Sequence, residues 1–305
     1  MSEAPLVELA ALTKRYGTHT AVDGLDLRVQ EGTVFGLLGP NGAGKSTTIR
    51  MMLSLIRPTY GTIRLFGMDL REQRNQIMRQ IGCIIEKPDF YGYLSARRNL
   101  ELLARMSRLT PSEAALRDVF ELVGLTGREH DPVKTYSHGM KQRLGLAQAL
   151  LHQPRLVILD EPTTGLDPQG IIDLRHLILR LKNEMHKTVI LSSHILSEIE
   201  LIADSMAIVA RGKAVAQGRV TDLLSDDDLM VYVEPVNSEK AKQALSESAW
   251  NQKIVGAENE ALVMRMARQE LPALHHFLHE RSVDVYALYY RKRLEDYFLK
   301  LTKAG

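Results

Sequence analysis

One stretch limits this chain more than any other: the apolar run Thr33-Val34-Phe35-Gly36-Leu37-Leu38, followed without a break by Gly39-Pro40-Asn41-Gly42-Ala43-Gly44-Lys45-Ser46-Thr47. The pattern G-x-x-x-x-G-K-S demands a buried strand, a glycine-lined loop and a helix in succession. Side chains at the glycines would stop backbone N–H groups from closing around phosphate oxygens. Lys45 would reach the β- and γ-phosphates and Ser46 would place its hydroxyl on Mg²⁺. The helix that opens here offers unpaired N–H groups and about half a positive charge to a polyphosphate. Binding of a nucleoside triphosphate follows from this stretch alone.

The 305-residue chain is long enough for one large domain and one small one, and its 45% hydrophobic content supports a sizeable core. With 39 basic against 37 acidic residues the net charge is +2, so no global field points to nucleic acid. The single cysteine, Cys83, cannot form an internal disulfide, and within Ile81-Gly82-Cys83-Ile84-Ile85 it reads as a buried core thiol suited to a reducing compartment. No run approaches the roughly eighteen apolar residues of a spanning helix, and the N-terminus lacks the regions of a signal peptide. A cytosolic chain is expected, one that leaves any membrane spanning to another polypeptide.

Short strands are expected at Leu6 to Leu9 and Leu25 to Val29, separated by a turn containing Gly17 and Gly24. Tyr16 is an aromatic suited either to stacking on a base or to packing. After a helix through Met51, Met52 and Leu55 and a strand from Thr62 to Phe66, the segment from about Pro88 to Gln153 reads as a helical insertion. Ser95 caps a helix there that presents Leu100, Leu103 and Met106 on one face. Ser137 falls where a helix N-cap would, with Gly139 unhindered beside it. That end offers donors to an anion, but on these residues alone an ordinary capped helix is the simpler reading.

Leu156-Val157-Ile158-Leu159-Asp160-Glu161-Pro162 is a buried strand that delivers two carboxylates at its C-terminal end, the edge of a parallel sheet where ligands bind. Asp160 suits Mg²⁺, and Glu161 suits the acceptance of a proton from an attacking water. Thr188 to His194 repeats the design, and His194 is placed to donate a hydrogen bond to a γ-phosphate. A closing hairpin is expected around Arg211-Gly212-Lys213. The acidic run Ser225-Asp226-Asp227-Asp228 then marks a boundary, giving residues 1–224, with a helical subdomain over about 88–153, and residues 225–305. Beyond the boundary the order strand, helix, strand, strand, helix, strand is ferredoxin-like. A last helix follows with an apolar stripe at Leu294, Tyr297, Phe298 and Leu301. His275, His276 and His279 lack a cysteine or carboxylate to complete a metal site and are expected on a solvated face.

Taken in order, Gly39 to Thr47, Ser137-His138-Gly139-Met140-Lys141-Gln142, Leu156 to Pro162, Gly165-Leu166-Asp167-Pro168 and His194 resemble the nucleotide-binding subunit of an ABC transporter, over about Leu6 to Leu223. The resemblance implies an α/β fold: a P-loop NTPase core with a β-subdomain and a helical subdomain, beside the small C-terminal α+β domain. It implies an ATPase with ATP and Mg²⁺ as cofactors. It assigns Tyr16 to adenine stacking, Gly39, Pro40, Asn41, Gly42, Ala43, Gly44, Lys45, Ser46 and Thr47 to the phosphates, Asp160 to Mg²⁺, Glu161 to general base and His194 to the switch. By the same likeness Ser137 and Gly139 contact the γ-phosphate of a partner subunit's ATP, which inverts the plain-cap reading. Two identical subunits would then sandwich two ATP molecules head to tail.

His138 and Met140 depart from the family's usual glycine and glutamine. Glu86 stands where most members carry glutamine, and retains an oxygen acceptor for Mg²⁺ or its water. Glu86, with Pro88, Tyr91, Leu94, Asn99 and Leu100 following, resembles the export branch that includes bacitracin-resistance and lantibiotic-immunity transporters. That implies a separate integral membrane permease docked near Glu86 to Tyr93, and a peripheral place on the cytoplasmic face of the membrane. A soluble ABC-type ATPase, or an effector-regulated module without a permease, is the alternative. The transported substrate is not encoded in this chain.

Overall fold

The computed structural model describes residues 4–86, 88–224, 227, 229–258, 261–292 and 298. The chain divides into two compact units, Met1–Arg219 and Val220–Gly305. The first begins with β1 (Val7–Tyr16), β2 (His19–Val29), β3 (Val34–Leu38), α1 (Lys45–Met52), β4 (Tyr60–Leu65) and β5 (Met68–Asp69). Next come α2 (Arg74–Met78), β6 (Ile81–Ile84) and the helices α3 (Ala96–Met106), α4 (Glu113–Leu122) and α5 (His138–Leu150). It ends with β7 (Leu156–Leu159), α6 (Pro168–Asn183), β8 (Thr188–Ser193), α7 (Leu196–Glu200), β9 (Ser205–Ala210) and β10 (Lys213–Arg219).

Two sheets share this unit. One is antiparallel in the order β2-β1-β4-β5; the other runs β10-β9-β3-β8-β7-β6, parallel except for the β9–β10 hairpin. β3 has no polar side chain and all five residues are buried, as a strand flanked by neighbours on both sides requires. Leu9 and Leu27 from one sheet, Phe35, Ile158 and Val209 from the other, and Ile49 from α1 belong to a single buried cluster. The register pairs Leu38 with Ser193 and Leu159 with Leu191. Gly39, Asp160 and His194, each just past a strand end, therefore emerge on one edge of the sheet.

In the second unit α8 (Val220–Leu223) leads to β11 (Leu229–Pro235), α9 (Ser238–Ser246), β12 (Ile254–Glu258), β13 (Ala261–Met266), α10 (Leu271–Glu280) and β14 (Val285–Lys292). The antiparallel order β12-β13-β11-β14 is that of a ferredoxin-like sheet. Val231, Val233 and Met264 pack on one face with Leu245, Leu274 and Leu278 from the two helices. Tyr232 and Tyr289 stack with ring centroids 5.1 Å apart, and the Arg291 guanidinium lies over both rings.

Several local expectations need correction. Cys83 is exposed rather than a core thiol, because β6 is the edge strand of its sheet and alternation turns Cys83 away from the side on which Gly82 meets Ala149 of α5. Helix α1 stops at Met52, and Leu55 is 60% exposed, since Ser54 adopts φ +54° and breaks the helical run. Met106 is likewise 70% exposed; α3 buries Ala96, Asn99, Leu100 and Ala104 instead. The turn between the first two strands holds Gly17, but β2 begins at His19 and contains Gly24, at a register shift of the pairing between Leu12↔Leu25 and Lys14↔Val22. Of the expected last helix, Leu294, Tyr297 and Leu301 lie outside the described residues, as do Ser225, Asp226 and Asp228 of the acidic run. Among the described residues no group of three or more His, Cys, Asp or Glu side chains converges on a metal position, and no helix is long and apolar enough to cross a membrane.

Candidate functional site

The loop after β3 is shaped by close backbone approach. A Cβ at Gly39 would lie 2.3 Å from the Val209 carbonyl oxygen, and one at Gly44, where φ is +108°, would lie 2.5 Å from that of Ala21. Gly44 N-caps α1 without any side-chain hydrogen bond to the helix, so the helix's first N–H groups face the loop. Lys45 is 5% exposed, and its ammonium donates to the carbonyls of Gly39 at 2.7 Å and Pro40 at 3.2 Å. The ammonium is therefore held inside the loop by groups that a polyphosphate can replace.

A cleft of about 420 Å³ is lined by Tyr16, His19 and Ala21, by Asn41 to Thr47, and by Glu161. The structure thus brings Tyr16, half exposed, to the same space as the phosphate loop, with Lys14 Nζ 4.9 Å from its ring centroid. Ser46 lines the cleft as well. Glu161 reaches Lys45 Nζ at 3.2 Å through one carboxylate oxygen and receives His194 Nδ1 at 2.6 Å on the other. A cation from the start of α1 and a carboxylate and an imidazole from just past two strand ends form one chain of contacts.

Of the two adjacent acids, Glu161 lines the cleft and has a backbone φ of +47°. Asp160, 8% exposed, accepts the Ser192 hydroxyl at 2.6 Å, while Ser192 Oγ accepts the Glu161 backbone N–H at 2.8 Å. Ser192 therefore ties the Asp160 carboxylate to the Glu161 backbone from the neighbouring strand, a role the sequence shows only as a hydroxyl at a strand end. Asp160 and Ser46 supply hard oxygen donors, the chemistry Mg²⁺ selects.

The helix carrying Ser137 belongs to a different corner of the unit. Ser137 caps α5 by accepting the Met140 N–H at 3.2 Å, and Gly139 leaves open space beside it, with Leu166 Cδ2 the nearest atom a Cβ would meet at 3.8 Å. Neither residue lines the cleft around Lys45. Asp167 caps α6 by accepting the Gly170 N–H at 3.0 Å. Glu86, at φ +64°, forms an ion pair with Arg50 of α1 at 2.5 Å and is 71% exposed. Arg50 is the partner that sequence reasoning missed; it stands four residues, one helical turn, beyond Ser46.

The ABC transporter family model matches residues 22–164. YhcH of Bacillus subtilis, an uncharacterized ABC transporter ATP-binding protein, is 41% identical over 298 residues, covering 97% of this chain and 96% of its own. The bacitracin transport ATP-binding protein BcrA of Bacillus licheniformis is 47% identical over 212 residues, 70% of this chain and 69% of BcrA. A solved structure of an ATP-binding subunit of an ABC transporter superposes with a TM-score of 0.64 at 33% identity, over 72% of this chain and 91% of that one.

Proposed function

The chain belongs to the ABC transporter family, and we propose that it is the ATP-hydrolysing subunit of an exporter, working as a head-to-tail pair beneath a separate membrane permease. The observation that carries this reading is the Glu161 carboxylate, held between Lys45 of the phosphate loop and His194. The likeness to BcrA, a bacitracin transport ATP-binding protein, supports a role in transport, and export is the direction that the resemblance of Glu86 and the residues after it implies.

In this reading the N–H groups of the Gly42 to Lys45 loop and the α1 terminus bind the phosphates, and Tyr16 stacks on the adenine. Lys45 exchanges its carbonyl and carboxylate partners for the β- and γ-phosphate oxygens. Glu161, released from Lys45, takes a proton from the water that attacks the γ-phosphorus. The bond between that phosphorus and the β-bridging oxygen breaks, the oxygen leaves with ADP, and inorganic phosphate remains. With Nδ1 already on Glu161, His194 must use Nε2 to reach the γ-phosphate, so both ring nitrogens carry protons if it bridges the two. Ser46 and Asp160 are the residues that would hold Mg²⁺, which when bound neutralises charge on the β- and γ-phosphate oxygens. Glu86 would reach that ion or its water only after leaving Arg50.

Ser137 and Gly139 act on the second subunit's nucleotide. With its oxygen accepting the Met140 N–H, Ser137 keeps its own hydroxyl proton free to donate to a γ-phosphate. ATP then completes the interface, and hydrolysis removes the contact that held it. The permease, docked near Glu86 to Tyr93, holds the pair at the cytoplasmic face of the membrane.

Light scattering after size exclusion tests the pairing. The Glu161→Gln chain is expected to shift from monomer to dimer with ATP, and a second substitution, Ser137→Arg, to block the shift. A dimer that forms equally well with Ser137→Arg would overturn the head-to-tail arrangement.

A further inference from the structure

The turn that follows Glu161 is closed on itself. The Thr164 N–H donates to the Glu161 carbonyl at 3.2 Å, and the Thr164 hydroxyl donates to Glu161 Oε2 at 3.5 Å. That oxygen also receives His194 Nδ1. Thr164 is therefore bonded to both the main chain and the carboxylate of Glu161, a residue whose φ of +47° has to be held by its surroundings. At 3.5 Å the hydroxyl contact is at the long limit for a hydrogen bond, so a small shift of the turn makes or breaks it.

Helix α5 supplies the hold. Gln142, 7% exposed, donates through Nε2 to the Pro162 carbonyl at 3.3 Å, and His138 Nε2 lies 3.4 Å from the Thr164 carbonyl. A carbonyl only accepts, so Nε2 carries the proton in this contact. The two donors stand four residues apart, one helical turn, on one face of α5. Between their targets, the Thr163 carbonyl takes the Leu166 N–H at 3.1 Å. The imidazole lies along the main chain of Gly165, where a Cβ would come within 3.1 Å of Nε2. His138 is also where this chain departs from the glycine usual at the position, and a glycine has no side chain to make the contact.

We propose that His138 is a positioning residue for Glu161 of its own subunit, acting through the Thr164 carbonyl and not on the nucleotide that Ser137 meets. This role rests on the reading of Glu161 as general base in a head-to-tail pair, and adds a route inside each subunit from the serine-tipped helix to the base. When phosphate takes Lys45 from Glu161, the carboxylate keeps His194 and Thr164 as partners. Of these two, Thr164 is the one tied to α5. A copy whose α5 is seated on its neighbour's ATP thereby holds its own base in place.

The test joins two full chains in one polypeptide through a flexible linker, with Glu161→Gln in one copy so that a single base remains. His138→Leu, which keeps bulk and removes the donor, is placed either in the copy with Glu161 intact or in the copy bearing Glu161→Gln. In the first placement kcat should fall about threefold to tenfold, the worth of one neutral hydrogen bond. KM should not change, as for a contact that matters only in the transition state. In the second placement the altered helix meets the nucleotide of the surviving site, and turnover should equal that of the parent tandem. His138→Gln, with its amide nitrogen the same number of bonds from Cα as Nε2, should recover most of the loss in the first placement. Equal losses in both placements, a greater loss in the second, or no loss in either overturns the proposal. So does a loss as large with Gln as with Leu. Full turnover by a tandem bearing Glu161→Gln in both copies would instead overturn the general-base reading itself.

Discussion

Replacing Glu161 with Gln removes the one negative charge that faces Lys45 and His194 in the nucleotide cleft, with almost no change of shape. Lys45 is 5% exposed and Glu161 24%, and their charged atoms are 3.2 Å apart, so ATP must break a largely shielded charge-assisted contact to recruit the ammonium. Such contacts contribute roughly 1.5 to 3 kcal/mol. Because Glu161 is partly solvated and Lys45 keeps the Gly39 carbonyl at 2.7 Å, the lower part of that range applies. A gain of about 1.5 to 2 kcal/mol corresponds to roughly twelvefold to thirtyfold tighter ATP. Turnover should fall by roughly 10² to 10⁴ in the same variant, as loss of a general base implies. Calorimetric titration with ATP under dilute conditions, where the chain is a monomer, measures the first effect, and single-turnover hydrolysis measures the second. An ATP affinity that is unchanged or weaker would refute the claim that Glu161 competes with phosphate for Lys45.

Gly44→Ala should lose ATP binding and destabilise the fold by about 2 kcal/mol or more, since φ +108° and a carbonyl 2.5 Å from the new Cβ act together. Gly42→Ala, at φ +78° with open space around it, should cost only about 1 kcal/mol; urea unfolding separates the two. Ser192→Ala should cost about 2 kcal/mol and reduce turnover, because Asp160 loses a donor and the Glu161 N–H an acceptor; a variant with wild-type kinetics would remove Ser192 from the positioning of the acids. Burial pushes His152 below its ordinary value of 6.5, so the unfolded chain binds the proton more readily. Its stabilisation is therefore complete above pH 6.5 and lost as pH falls from there through the lowered folded value. Unfolding midpoints between pH 7.5 and pH 5.5 should drop less in His152→Gln than in wild type, and parallel curves would exclude this residue.

Local motifs carried the most information. Lys45 and its glycines are legible because each residue type answers a contact only a few positions away. The edge at which Asp160, Glu161 and His194 meet was legible too, since apolar strands that end in polar groups share a parallel sheet. What the sequence concealed depends on neighbours distant along the chain. Cys83 is exposed because β6 happens to be the edge strand, which no hydrophobic run reveals. Ser192 works through the parallel pairing of β7 with β8, and Arg50 through a chain reversal that returns Glu86 to α1. Met106 shows the limit of periodicity: a helix face can be apolar at its last turn and still meet nothing.

The left-handed backbone of Glu161 has a consequence for how this position responds to selection. Glycine or asparagine would relieve a conformation that costs a side chain about 1 to 2 kcal/mol. If Glu161 is the general base proposed above, drift toward a sturdier polypeptide would favour sequences that can no longer split a phosphoanhydride. The acid stands there against the preference of its own main chain, and a thermostabilised descendant chosen for heat resistance alone would be expected to surrender it.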